Sequence, residues 1–355
     1  NTSVTLNTEG QSVTFVFVDS TQGWINTMDS TSNVRGAPPF IQASVSGACN
    51  TLVTAPCCAN AKIATFTGPG SFTVTAAALC AANNIVSHLI VAGGGSGGTG
   101  CSGGGAGAGG FREVKSPITP YTASPLDGYS VPANRVTVTA QTYAIVVGGG
   151  APGQATAPNS CNSDGTRGNN SSFGGIISTG GGAGGDGPAG PEGPGGSGGG
   201  GGHSSGTAGN GNTPAVSPAQ GFNGRPSQPA TGPAPSDAGG AGGGATAAGT
   251  CGSSGHQGGA GATTSISATP TAYAGGGGGS NRCGGTSGDV AGGAGGGGRG
   301  ASNPRPRPAF DGTGQNGTAN TGGGGGAGGS LVSGGPIGGT GSGGSGIVII
   351  RYKFQ

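Results

Sequence analysis

Charge is scarce in this chain. Only 7% of its 355 residues are Asp, Glu, Lys or Arg, with 13 basic against 11 acidic. Binding nucleic acid requires clustered cations that neutralise phosphates, so these few scattered ones argue against such a partner. The same scarcity separates the chain from disordered solvating tails, which are usually charge-rich. Aromatic residues make up 5% and hydrophobic residues 31%, too little to fill the cores that this length would suggest. Most of the chain must be held by something other than side-chain burial. No apolar run reaches the ~18–20 residues of a membrane-spanning helix, so membrane insertion is not expected. The sequence starts at Asn1 without a basic-then-apolar leader, and reads as a mature or trimmed piece.

What the chain has instead is glycine. Of 92 glycines, six precede Gly93 and none follows Gly346. The tract begins directly after the apolar run Ile85–Ala92 and ends directly before Ile347–Phe354. Two strand-like segments thus bracket a glycine excursion that leaves a folded platform and returns to it. Ordering backbone costs about 1–2 kcal/mol per residue and glycine costs most. The tract can be ordered only if its backbone groups are densely paired.

A bundle of polyglycine II helices satisfies that demand. Each rod has three residues per turn and no internal hydrogen bonds, so every amide and carbonyl must pair with a neighbouring rod. Suitable runs are Gly93–Gly110, Gly180–Gly187, Gly195–Gly202, Gly239–Gly249, Gly275–Gly279, Gly292–Gly300 and Gly322–Gly329. Alanine and serine within them are expected to face outward. Collagen-like triplets at 187–194 break down at Gly198–Gly202, and collagen needs a strict period.

Around the glycine, strand signals dominate. Val4–Leu6 and Ser12–Val18 alternate with the two-residue period of a half-buried strand, and Trp24 follows a turn. Residues 1–46 therefore read as one β unit, and 47–62 as a cysteine-rich loop. Ile63–Thr67 and Ser71–Thr75 flank Gly68-Pro69-Gly70, predicting a hairpin. The nearly continuous apolar run at 85–92 predicts burial on both faces. Residues 63–147 form the platform, with the first glycine tract at 93–110; 148–346 form the polyglycine region; 347–355 supply the closing strand. No amphipathic helix is evident beyond a turn or two at 76–82. The fold class is all-β, a sandwich-like platform carrying a polyglycine II bundle and preceded by a short β segment.

The eight cysteines are Cys49, Cys57, Cys58, Cys80, Cys101, Cys161, Cys251 and Cys283. Their even number in a poorly cored chain points to disulfides in an extracellular setting, with pairing left open. No paired C-x-x-C suggests zinc, and no metal or cofactor is expected. Gly93-x-Gly95-x-x-Gly98 and Gly148-x-Gly150-x-x-Gly153 match the dinucleotide fingerprint, but no helix pattern follows either. His88 reads as a core residue. Glu9, Glu113 and Glu192 form no evident carboxylate pair, and the chain is not read as an enzyme. Loops on rigid scaffolds carry function. The richest are 203–237, with His203, Phe222, Asn223 and Arg225, and 301–321, with Arg305, Arg307, Phe310 and Asp311. Tyr273, Arg282 and Arg299 are further candidates, aromatic and arginine side chains being the usual interface anchors.

The order of landmarks resembles the glycine-rich domain of bacteriophage tail fibres and other virion surface proteins. The residues that carry this are Leu89–Gly95, Gly109–Arg112, Thr142–Gly148, Phe173 with Ser178–Gly182, and Gly343–Tyr352. The resemblance implies an adhesin-like tip on the virion surface, displaying loops to a host-cell glycan or outer-membrane protein. It also implies residues 1–46 as the end of a β fibre shaft, Trp24 included, a homotrimer, and other tail or fibre proteins as partners. The cysteines and the long 116–133 loop depart from the pattern. A rival reading is a subunit of an extracellular filament or sheath packed through its rods; an ice-binding protein is a further one.

Overall fold

The computed structural model describes residues 13–20, 23–29, 38–56, 60–100, 102–155, 163–187, 193–203, 206–227, 238–250, 256–280, 290–301, 312–329 and 338–355. Its regular elements are all strands apart from two short 3-10 turns at Ala81–Asn84 and Pro132–Asn134. In chain order they are β1 Val13–Asp19, β2 Gly23–Asp29, β3 Gln42–Ser46, β4 Thr51–Thr54, β5 Ala61–Phe66, β6 Gly70–Ala76, β7 Ile85–Val91, β8 Phe111–Val114, β9 Val136–Thr137, β10 Thr142–Ile145, β11 Ser171–Phe173, β12 Ile176–Ser178, β13 Ala262–Thr264, β14 Thr271–Tyr273 and β15 Ile347–Lys353. The fold is all-β.

Two antiparallel sheets form the platform. One runs β4-β5-β15-β7-β8, with β9 also pairing with β7; the other runs β10-β6-β3. The last strand, β15, thus inserts between β5 and β7, with Ile350 opposite both Ala64 and His88. Its position explains its sequence: a central strand covered on both faces carries consecutive apolar residues, and Ile347–Tyr352 are all buried. β7 is buried in the same way, as its composition predicts.

One face of this sheet packs on the three-stranded sheet. Phe66, Val348, Ile350 and Tyr352 meet Phe72, Val74 and Ile145 there, and Phe173 from the β11–β12 hairpin completes the core. Phe72 meets Tyr352 and Phe173 edge-on, at centroid separations of 5.5 and 6.2 Å, the geometry that ring quadrupoles favour. The other face packs Leu89, Phe111 and Ile349 against Ile266 and Tyr273, at the β13–β14 hairpin. Arg351 anchors that hairpin from the middle of β15. Its guanidinium donates to the carbonyls of Pro120 (3.0 Å) and Ile266 (3.3 Å) and lies over the Tyr121 ring.

Four expectations are corrected here. Gly68-Pro69-Gly70 does not close a hairpin, because β5 and β6 belong to different sheets. The turn is a corner of the sandwich, and it lets Phe66 and Phe72 face one another across a shared core. The platform also starts earlier than residue 63: β3 lies within the segment assigned to the shaft, and β4 within the assigned cysteine-rich loop. Cys49 and Cys80 are exposed free thiols rather than staples. The β3–β4 turn is closed instead by Asn50, whose amide donates to Ser46 O (2.8 Å) and accepts from the Thr67 amide (3.2 Å). The other six cysteines lie outside the described residues. Tyr273 is not a displayed side chain: it is 4% exposed on β14 and belongs to the second core.

Candidate functional site

The glycine region is a lattice of main chains whose bonding repeats every third residue. Along Ala92–Thr99 the amides of Ala92, Gly95 and Gly98 donate to Gly110, Gly107 and Gly104. Those of Gly93, Ser96 and Thr99 donate to Asn169, Thr166 and Ser163, and those of Gly94 and Gly97 to Gly344 and Gly341. The carbonyls of the same segment accept from three further segments: Gly93 and Ser96 from Gly181 and Gly184, Gly95 and Gly98 from Gly325 and Gly328, and Gly94 from Ala151. One rod therefore has six neighbours, three receiving its amides and three serving its carbonyls. A period of three is that of the polyglycine II helix.

Segments 104–110, 274–280 and 322–329 are bonded on six sides in the same manner. Along these rods, as at the glycines of the neighbouring rods that face them, there is no room for a side chain. A Cβ built on Gly94, Gly95 or Gly97 would fall closer than 3.0 Å to the carbonyl of Gly323, Gly182 or Gly326 respectively. The alanines and serines of the inner rods nevertheless point inward: Ser96, Ala106, Ala108 and Ala327 are fully buried. The expectation that they mark outward positions is thus corrected. The lattice therefore takes a single Cβ or hydroxymethyl group at these positions.

Peripheral rods follow another rule. Glycine recurs at every third position, as Gly165 and Gly168, Gly221 and Gly224, Gly314 and Gly317, while residues between them are exposed. Rows of exposed side chains result: Asp164, Arg167 and Asn170 on one rod, Thr313 and Asn316 on another, with Asp164, Asn170 and Asn316 accepting from the amides of Asp186, Gly180 and Ser342 on adjacent segments. Within a row the spacing is about 9 Å, three residues at ~3.1 Å each. These rows were missed in the sequence because glycine density was sought rather than glycine period.

The rods have one end on the platform and one away from it. At the distal end Thr99 bonds to Ser163, Gly239 to Ser280, Ser280 to Gly103, Gly329 to Gly312 and Gly338 to Gly329. The described segments that end at Ser227, Ser280, Ala301 and Gly329, and those that begin at Ala238, Val290, Gly312 and Gly338, terminate here. Arg305, Arg307, Phe310, Asp311 and Arg282 lie outside the described residues. His203 is half-buried, next to Gly202, which packs on Asp186 and Gly187. Arg299 is half-buried within a rod, its carbonyl bonded to the Gln315 amide.

Phe222, Asn223 and Arg225 are exposed but stand on the flank of a rod, not on a connection. The Phe222 amide donates to Gly244 O and the Arg225 amide to Ala241 O. Parts of the two segments read as loops, 203–237 and 301–321, are thus rod, at 221–227 and 312–318. His256 lies buried towards the distal end, with Nδ1 unpartnered. Burial, and then the nearby Arg225 charge, hold its pKa below the ordinary histidine value. Among the described residues no group of three or more His, Cys, Asp or Glu side chains could hold a metal ion, and no helix is long and apolar enough to cross a membrane.

No curated protein matches the chain. The glycine-rich domain model does, over residues 66–353, from the end of β5 to the last residue of β15. That interval takes in both the inner rods and the strands they spring from, so the chain belongs to the glycine-rich domain family.

Proposed function

We propose that this chain is the display end of a virion fibre, of the bacteriophage tail-fibre kind, and attaches to a glycan or outer-membrane protein on a host cell. The observation that carries the reading is the lattice of rods, bonded main chain to main chain, which extends from the sheets to a distal end. Main-chain bonding makes the rods a rigid support, and binding residues concentrate on segments held by such supports. The work asked of the chain is recognition and not catalysis. Self-association as a homotrimer, through the β1–β2 ribbon, joins it to the rest of the fibre. Three weak sites then act together by proximity.

The test is an exchange of residues 228–237 and 302–311, the parts of the two candidate segments 203–237 and 301–321 that lie between described rods, for those of another glycine-rich chain, in the assembled fibre. Host range should change while the thermal midpoint of the purified chain stays within a few degrees. Unchanged adsorption after both exchanges would overturn the reading.

A further inference from the structure

Two features of the platform end remain without a role. The first is the β1–β2 ribbon. Phe17 and Trp24 are paired across it, with ring centroids 5.4 Å apart, yet they are 52% and 68% exposed. Phe15, on the same face, is also exposed. A two-stranded ribbon is marginal by itself in water, and an open aromatic pair of this kind marks an interaction surface.

The second is a groove of about 370 Å³ between the two sheets, at the end opposite the rods. Ile41, Gln42 and Ser44 line it from one sheet; Lys62, Tyr352 and Phe354 line it from the other. The Lys62 ammonium sits 4.8 Å from the Phe354 ring centroid. The Tyr352 hydroxyl is buried without a hydrogen-bond partner.

The geometry points to the aromatic face of one copy's β1–β2 ribbon seated in this groove on a second copy. The groove is of a size to take two aromatic side chains. A second ring beside Lys62 would place the ammonium between two π faces. Within one chain the two do not meet, since Trp24 is exposed while the groove stands open. Each copy offers one ribbon and one groove on different surfaces, so the contact is heterologous, and the proposed trimer is the ring it forms when the rotation between copies closes. The inference rests on the self-association in the proposed function, and is independent of host attachment.

Trp24 is the only tryptophan, so its emission reports on this contact alone. The full chain is followed over a dilution series by sedimentation velocity and by tryptophan emission with acrylamide quenching. Assembled chain should show blue-shifted, quencher-protected emission that turns red as it dissociates. Ser44→Arg, at an exposed position on the groove wall, should weaken assembly by roughly tenfold or more and leave the emission red. Trp24→Ala should weaken assembly similarly. Assembly with red emission, or assembly unaffected by Ser44→Arg, overturns the groove contact and leaves self-association standing. A monomer with red emission at every concentration overturns both. Blue emission from a chain that sediments as a monomer means docking within one chain, and also overturns the inference.

Discussion

The Glu113 carboxylate, on β8, accepts a hydrogen bond from the Thr264 hydroxyl, 151 residues further along the chain. A second oxygen accepts from the Ser124 amide at 2.9 Å. One buried carboxylate therefore ties the edge of the six-stranded sheet to the long loop and to the β13–β14 hairpin within the glycine region. Glu113→Ala would leave two buried donors unpaired, at about 1–3 kcal/mol each. Urea unfolding should show the loss, and Glu113→Gln should recover part of it.

The same residue gives a pH dependence. Burial is the main cause that raises the Glu113 pKa, opposed by its hydrogen bonds to Ser124 and Thr264. A carboxyl whose folded pKa is raised contributes stability that is complete below its unfolded value. That contribution is lost as pH rises through the folded value. In Glu113→Gln this slope should vanish from urea midpoints measured between about pH 4 and 8.

His88 acts in the opposite sense. It is wholly buried on β7, against the edge of Phe173, with neither ring nitrogen partnered. Burial, then the Arg112 charge, lower its pKa from 6.5 to about 3. The folded chain holds it neutral while the unfolded chain protonates it, so stability falls as pH drops from 6.5 towards 3. The slope should approach 1.4 kcal/mol per pH unit. His88→Met should flatten the acid limb of the same titration.

Inner and outer glycines should respond differently to one methyl group. At Gly95 an added Cβ would strike the Gly182 carbonyl, and overpacking of this kind costs about 1–3 kcal/mol or more. At Gly149 the nearest atom is the Asn169 side-chain nitrogen, 3.7 Å away. Gly95→Ala should lower the thermal midpoint by several degrees, and Gly149→Ala should leave it within a degree or two. Equal effects would contradict the lattice.

Cys49 and Cys80 should react with a maleimide in the native chain, since both are exposed and free. The double variant Cys49→Ser, Cys80→Ser should keep the wild-type thermal midpoint. The turn beside Cys49 is held by Asn50, so Asn50→Ala is the substitution expected to destabilise it.

Much of the architecture was legible in the chain. Ile85–Ala92 and Ile347–Phe354 announced two central strands because a strand covered on both faces carries no polar alternation. Glycine runs such as Gly322–Gly329 announced rods, because only main-chain bonding can order a segment without side chains. Gly68-Pro69-Gly70 was misleading. A tight turn between two apolar strands reads alike whether the partner lies in the same sheet or across a sandwich, and local sequence does not say which. The tip residues fared unevenly for a related reason. Tyr273 and Phe222 are both aromatic residues in glycine-rich surroundings, and only the neighbours brought in from elsewhere bury one and expose the other.

The sequence alone determined that backbone pairing, and not a large core, orders most of this protein, since composition limits what side chains can bury. It also determined where the excursion starts and stops. Only the tertiary structure decided which rods are inner and which peripheral, and which carbonyl each glycine faces. A rod's bonding period is a local property of three residues per turn, but the number of its neighbours is set by segments up to 250 residues away, as Gly93 is bound to Gly181 and Gly94 to Gly344.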